Sequence, residues 1–139
     1  VVFISIVVGY GTAVQATPVF GWLVEQVLSL DMNPYLLTFV AVNLLAGMTA
    51  NGTGGVTLFM ENFGATILGN PAINVGALHR IAAISGAGFD SLPHNGAIAF
   101  QLSVFKLSYK DGYFQQFMMS VLVNLLAGLL AVLMAVVLF

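Results

Sequence analysis

SGAGFDSLPHNG, Ser85 to Gly96, sets an aspartate, a histidine, a proline and three glycines in the middle of an almost wholly apolar chain. Glycine and proline release or break helical backbone, and a polar group in apolar surroundings needs a partner. What such a segment means depends on the solvent around it, which composition reveals. Of 139 residues, 60% are hydrophobic and 6% charged, and the mean hydropathy is +1.03. An ordinary soluble domain is about 25% charged. The chain therefore reads as an all-α integral membrane protein.

The same composition excludes several functions. Arg80, Lys106 and Lys110 stand against Glu25, Asp31, Glu61, Asp90 and Asp111, which leaves no basic footprint for nucleic acid. Without cysteine there is no disulfide framework, thiolate metal site or cysteine nucleophile. The histidines and carboxylates form no HExxH, GxSxG or paired-carboxylate pattern, so neither an enzyme nor a cofactor or metal site is expected.

Pro18, Pro34, Pro71 and Pro93 each open an apolar stretch, the first three after Thr17, Asn33 and Asn70. Proline behind a capping residue marks a helix start. The expected helices run roughly 1 to 9, 18 to 30, 34 to 49, 56 to 69, 71 to 85, 94 to 107 and 113 to 139. The last suits one tilted span, since a bilayer core of about 30 Å takes about 20 helical residues. Unbroken, Asn33 to Leu68 would instead reach about 54 Å, so it must break or turn back. The break is legible as NGTGG, Asn51 to Gly55; another lies at Gly9 to Pro18, and the opening segment is a third.

The expectation is a single membrane domain over 1–139. Its broken elements, about 1–30, 34–69 and 71–107, are discontinuous or re-entrant helices, and a terminal transmembrane helix covers about 113–139. At this level 71–107 either crosses the membrane or re-enters it. Lys106 and Lys110 place the loop before the last span in the cytoplasm. With no initiator methionine, basic n-region or small-residue cleavage site, the chain reads as the C-terminal part of a longer protein.

Irregular backbone at membrane depth is tolerated only where protein buries it or a watery cavity lines it. The breaks are therefore expected to converge on a cavity, as secondary transporters place their substrates at such interruptions. Helix N-termini behind breaks, at Pro18 and Pro93, favour an anion.

QATP (Gln15 to Pro18), VNLLAG running into TANGTGG (Val42 to Gly55), and LHRIA with GFDSLPHNG (Leu78 to Ala82, Gly88 to Gly96) together resemble the gluconate permease family. That family belongs to the ion-transporter group of carboxylate carriers, and the likeness corresponds to the C-terminal third of such a permease. It implies proton-coupled symport of gluconate or a related sugar acid across a bacterial inner membrane by a multi-pass protein, with hairpins and discontinuous helices around the site. The second break departs from the family's usual serine and alanine among the glycines in carrying Asn51 and Thr53.

Asp90 is the expected proton-coupling residue, because a bare carboxylate in apolar surroundings must be paired, hydrated or protonated. Its plainer role is to cap the helix that starts near Pro93. His94 either shares the coupling and meets the anion, histidine being the side chain that titrates nearest physiological pH, or is a neutral ring tied to a backbone carbonyl. Ser91 and Asn95 either bond substrate or satisfy freed backbone. Asn51, Thr53 and the backbone of Gly52, Gly54 and Gly55 offer substrate contacts without steric cover, or form a packing kink. Gln15 and Thr17 hold the corresponding place in the first break, where Thr17 is also a cap.

His79 and Arg80 read as an interfacial anchor, and Glu25 and Glu61 fall near half-helix ends outside the site. Asn43 and Asn124 sit in identical hexapeptides, VNLLAG at 42 to 47 and 123 to 128, a repeat that reads as composition. The expected partners are a small organic anion and the lipid bilayer, with a homo-oligomer through the membrane domain left open. The alternatives are a sodium-coupled carboxylate carrier, a channel, whose filters also use glycine-rich breaks, or a structural subunit.

Overall fold

The structure, a computed structural model, describes residue 13, residues 16–29 and residues 32–139. The helix expected at 1 to 9 and most of the Gly9 to Pro18 break lie outside these residues. In the described chain, α1 (Pro18–Leu28), α2 (Pro34–Thr49), α3 (Gly52–Leu68), α4 (Val75–Gly86), α5 (Gly96–Val104) and α6 (Tyr109–Leu138) follow in order. A 3-10 turn, Phe89–Ser91, joins α4 to α5, and the described residues contain no strand.

Local chemistry sets the helix starts. Thr17 and Asn33 cap α1 and α2 with proline at the next position, as expected. The same signal at Asn70 and Pro71 does not open a helix. The Asn70 side chain accepts from the Ala72 amide at 3.0 Å and its carbonyl from the Ile73 amide at 3.2 Å, which closes a turn. Helix α4 begins later, capped by Asn74, whose Oδ1 accepts from the Ala77 amide at 2.9 Å. Likewise α5 starts behind Asn95 at Gly96 rather than at 94, and α6 starts behind Ser108 at Tyr109 rather than at 113.

Helix α2 is the centre of the fold. It buries Phe39, Ala41, Val42, Leu45 and Ala46 on all sides, as a helix wrapped by neighbours does. Around it pack α3, α4, the 3-10 turn and the second half of α6. Helix α1 adds Phe20, Val24 and Val27 to the same apolar cluster. The start of α4 is tied to the start of α2 by the Asn74 amide, which donates to the Tyr35 hydroxyl at 2.8 Å. Tyr35→Phe removes that acceptor without changing ring packing, so a stability loss of about 1 kcal/mol is expected in detergent unfolding titrations.

The second break is shorter than expected. Helix α2 ends at Ala50, whose φ of 50° lies in the left-handed region, and the Asn51 amide reaches back to the Ala46 carbonyl at 3.1 Å. Helix α3 then begins at Gly52 instead of 56, with Asn51 accepting from the Gly54 amide at 3.2 Å. The glycines are the first turn of a helix. Glycine costs about 1 kcal/mol per helical position relative to alanine, and tertiary contact overrides it here. A Cβ on Gly55 would lie 2.5 Å from the Ala46 backbone nitrogen, so only glycine lets α3 fold back onto α2.

Among the described residues, one helix, Tyr109–Leu138, is long and apolar enough to cross a membrane. It buries Val121, Gly128, Val132 and Ala135, a stripe at helical spacing, and exposes Leu126, Leu130, Leu133 and Val137 on the other side. A π-helical turn at Met118–Leu122 interrupts it next to the polar start. Helices α2 and α3 are about 24 and 26 Å long, short of a bilayer core of about 30 Å.

Candidate functional site

The end of α2, the start of α3 and the end of α4 meet at one place, and the Phe89–Asn95 segment wraps across it. Helix α3 crosses α4 backbone to backbone there. A Cβ on Gly52 would lie 2.3 Å from the Gly86 carbonyl oxygen, so glycine is what allows the approach. Beside the crossing opens a cleft of about 450 Å³. Asn51, Gly52, Thr53 and Asp90 form its polar wall, Val56, Ala83 and Ala87 its apolar wall, and Gly86 joins them.

Asp90 is half-buried on that wall. Its carboxylate accepts from the Ser91 hydroxyl at 2.8 Å and from the backbone N–H of Gly52, the first residue of α3. Helix α3 carries no acidic residue in its own first turn, so Asp90 supplies the negative charge that its positive end favours. The expectation that Asp90 caps the following helix is thus corrected. Asn95 caps α5, accepting from the Ala97 and Ile98 amides, whereas Asp90 faces a helix distant in sequence.

The other expected site residues divide between cleft and scaffold. Asn51, Gly52 and Thr53 line the cleft with Asp90, and Ser91 stands behind as its hydrogen-bond donor. His94 and Asn95 instead hold the carbonyl end of α2. The His94 Nε2 bonds the Gly47 carbonyl at 2.6 Å, and the Asn95 Nδ2 bonds the Ala50 and Asp90 carbonyls at 3.0 and 2.5 Å. Gly54 and Gly55 sit inside α3, the latter buried on Ala46. Thr17 caps α1 through the Phe20 amide at 3.4 Å and does not line the cleft, while Gln15 lies outside the described residues. Among the described residues, no group of three histidine, cysteine, aspartate or glutamate side chains is placed to hold a metal ion.

Residues that sequence reasoning passed over clamp the wrapping segment. The Tyr113 hydroxyl donates to the Ser91 carbonyl at 3.2 Å and the Tyr109 hydroxyl to the Pro93 carbonyl at 2.9 Å. Their spacing of four residues on α6 is the one signal that they share a face. The repeated hexapeptide also acquires meaning. Asn124 donates to the Ala87 carbonyl at 3.2 Å and so holds the exit of α4, where Asn43 packs its Oδ1 against Gly88. Asn43 Oδ1 is buried and finds no hydrogen-bond partner among the described residues.

An all-helical architecture with one apolar helix of spanning length is consistent with a membrane protein. The sequence is similar to a protein of Bacillus subtilis (strain 168) named Uncharacterized transporter YxjC, at 29% identity over 108 residues. The matched region is 76% of this chain and 23% of that protein, so the chain spans about a quarter of its relative's length. No family model matches the chain, and no solved structure matches it.

Proposed function

We propose that this chain forms part of a secondary transporter that moves gluconate or a related small organic acid across the bacterial inner membrane together with a proton. The observation that carries the reading is Asp90: an ionisable side chain on the wall of an open cleft, at the N-terminus of one interrupted helix and beside the end of another. The similarity to a named transporter supports transport, and the resemblance of the Gly88 to Gly96 segment to gluconate permeases supports the acid. In this reading α2 and α3 form a re-entrant hairpin, each too short to span. Asn51, Thr53 and the first amides of α3 then meet the substrate while Asp90 carries the proton.

The test is uptake of radiolabelled gluconate by the full-length protein in proteoliposomes. Saturable uptake is expected, with accumulation approaching about tenfold per unit of imposed pH gradient and collapsing with a protonophore. Accumulation driven by a sodium gradient alone would replace the proton with sodium, and non-saturable flux would point to a channel.

A further inference from the structure

We infer that Asp90 is a tethered competitor of the substrate: its carboxylate holds the α3 amide that a substrate carboxylate needs, and protonation of Asp90 vacates that place. This rests on the reading of the cleft as a carboxylate carrier's site and specifies how that carrier couples its proton. The geometry is direct. The carboxylate lies against Gly52, with Oδ2 3.1 Å from where a Cβ of that residue would stand, and faces the cleft with Asn51 and Thr53. The Ser91 hydroxyl holds the other oxygen. A carboxylate entering from solvent therefore meets another carboxylate already seated at the helix end.

Among the described residues, no cation beside the cleft neutralises a second negative charge. Asp90 is the ionisable residue among those lining the cleft. From α2 the turn meets no charged side chain, and the Tyr35 hydroxyl is engaged with Asn74. On α4, His79 and Arg80 border other cavities. On α3, Glu61 is exposed, about 13 Å along the axis from Gly52. From α6 come the Tyr109 and Tyr113 hydroxyls, on the Pro93 and Ser91 carbonyls, with Lys110 and Asp111 exposed at its start. The His94 ring is on the Gly47 carbonyl. Two carboxylates sharing one site without a cation do not both stay ionised.

The exchange balances. A proton from the external side forms an O–H bond on the Asp90 carboxylate, which then releases the Gly52 N–H; the substrate carboxylate accepts that N–H in its place. The cleft carries one negative charge before and after, so one proton accompanies each monocarboxylate and the step is electroneutral. An acid with two carboxylates would need a second proton, and among the described residues lining the cleft Asp90 is the one ionisable group.

The experiment measures initial rates of radiolabelled gluconate uptake by the full-length protein in proteoliposomes from about pH 5 to 8. Competition requires KM to rise, by about tenfold per pH unit above the titration of Asp90, with the maximal rate little changed and with no response to a potassium diffusion potential. Asp90→Asn is expected to lose gradient-driven accumulation, to keep gluconate counterflow and to show a KM independent of pH. A flat KM in the unaltered protein overturns the inference, as does Asp90→Asn that keeps the original pH dependence; if that variant does not fold, the unaltered protein's KM profile and its indifference to potential decide. Saturable uptake with a flat KM removes the competition alone. Absence of gluconate uptake at every pH removes the transport reading beneath it as well.

Discussion

In the proposed carrier, Gly52→Ala is expected to reduce gluconate uptake by about 10²-fold, whereas Gly54→Ala, two positions along the same turn, keeps it. The difference lies in what each new methyl group meets. At Gly52 it would stand 2.3 Å from the Gly86 carbonyl oxygen and 2.9 Å from the carbonyl carbon, both backbone atoms of a packed helix. At Gly54 the nearest atoms lie at 3.5 Å, an ordinary contact. Alanine recovers up to about 1 kcal/mol of helix propensity at either site. At Gly52 that gain is outweighed by overpacking of about 1–3 kcal/mol, which is relieved only by parting α3 from α4. Parting them draws the Gly52 amide away from Asp90 and reshapes the cleft, so transport falls further than stability. Uptake rates and detergent melts of the two variants side by side give the answer. Equal transport by both would mean that the close crossing is not needed.

Asn95→Ala is expected to destabilise the protein by about 3 kcal/mol, and His94→Ala by about 1 kcal/mol. Asn95 is buried and uses its whole amide: Nδ2 donates to the Ala50 and Asp90 carbonyls, and Oδ1 accepts from the Ala97 and Ile98 amides. Truncation removes the α5 cap and leaves two carbonyls unpaired at the junction of α2 with the wrapping segment. His94 is exposed, and without it the Gly47 carbonyl still accepts from the Ala50 amide at 3.4 Å. Unfolding titrations of the two variants in the same detergent measure the gap. A smaller cost for Asn95 than for His94 would show that the junction is not held by the asparagine.

The two residues are adjacent in the sequence and carry the same expectation, contact with substrate or service to the backbone, and their hydrogen bonds follow the second. The reason is positional. Both lie where the chain returns to the carbonyl end of α2, which has freed acceptors and no donors of its own. No spacing within the Ser85 to Gly96 segment announces that α2 ends there.

Thr17–Pro18 and Asn33–Pro34 announce helix starts because a cap bonds amides two or three residues ahead. Asn70–Pro71 carries the same letters and forms a turn, because the Asn70 carbonyl takes the Ile73 amide and Asn74 becomes the cap. The NGTGG stretch reads as unwound because glycine favours no helix, yet it is helical where Gly55 rests on Ala46 and Gly52 on Gly86.

The sequence by itself determined the helical class, one apolar helix of spanning length and the polar segment that borders the cleft, since each follows from composition or from bonds within a few residues. Tertiary structure alone decided which helix end each polar group meets. Asp90 reaches the α3 amides only because the chain reverses at Ala50 and Asn51 and because Gly52 and Gly86 let two backbones touch. Pairing a charge with a helix end depends on where that end lies in space, and contacts between distant segments set that position.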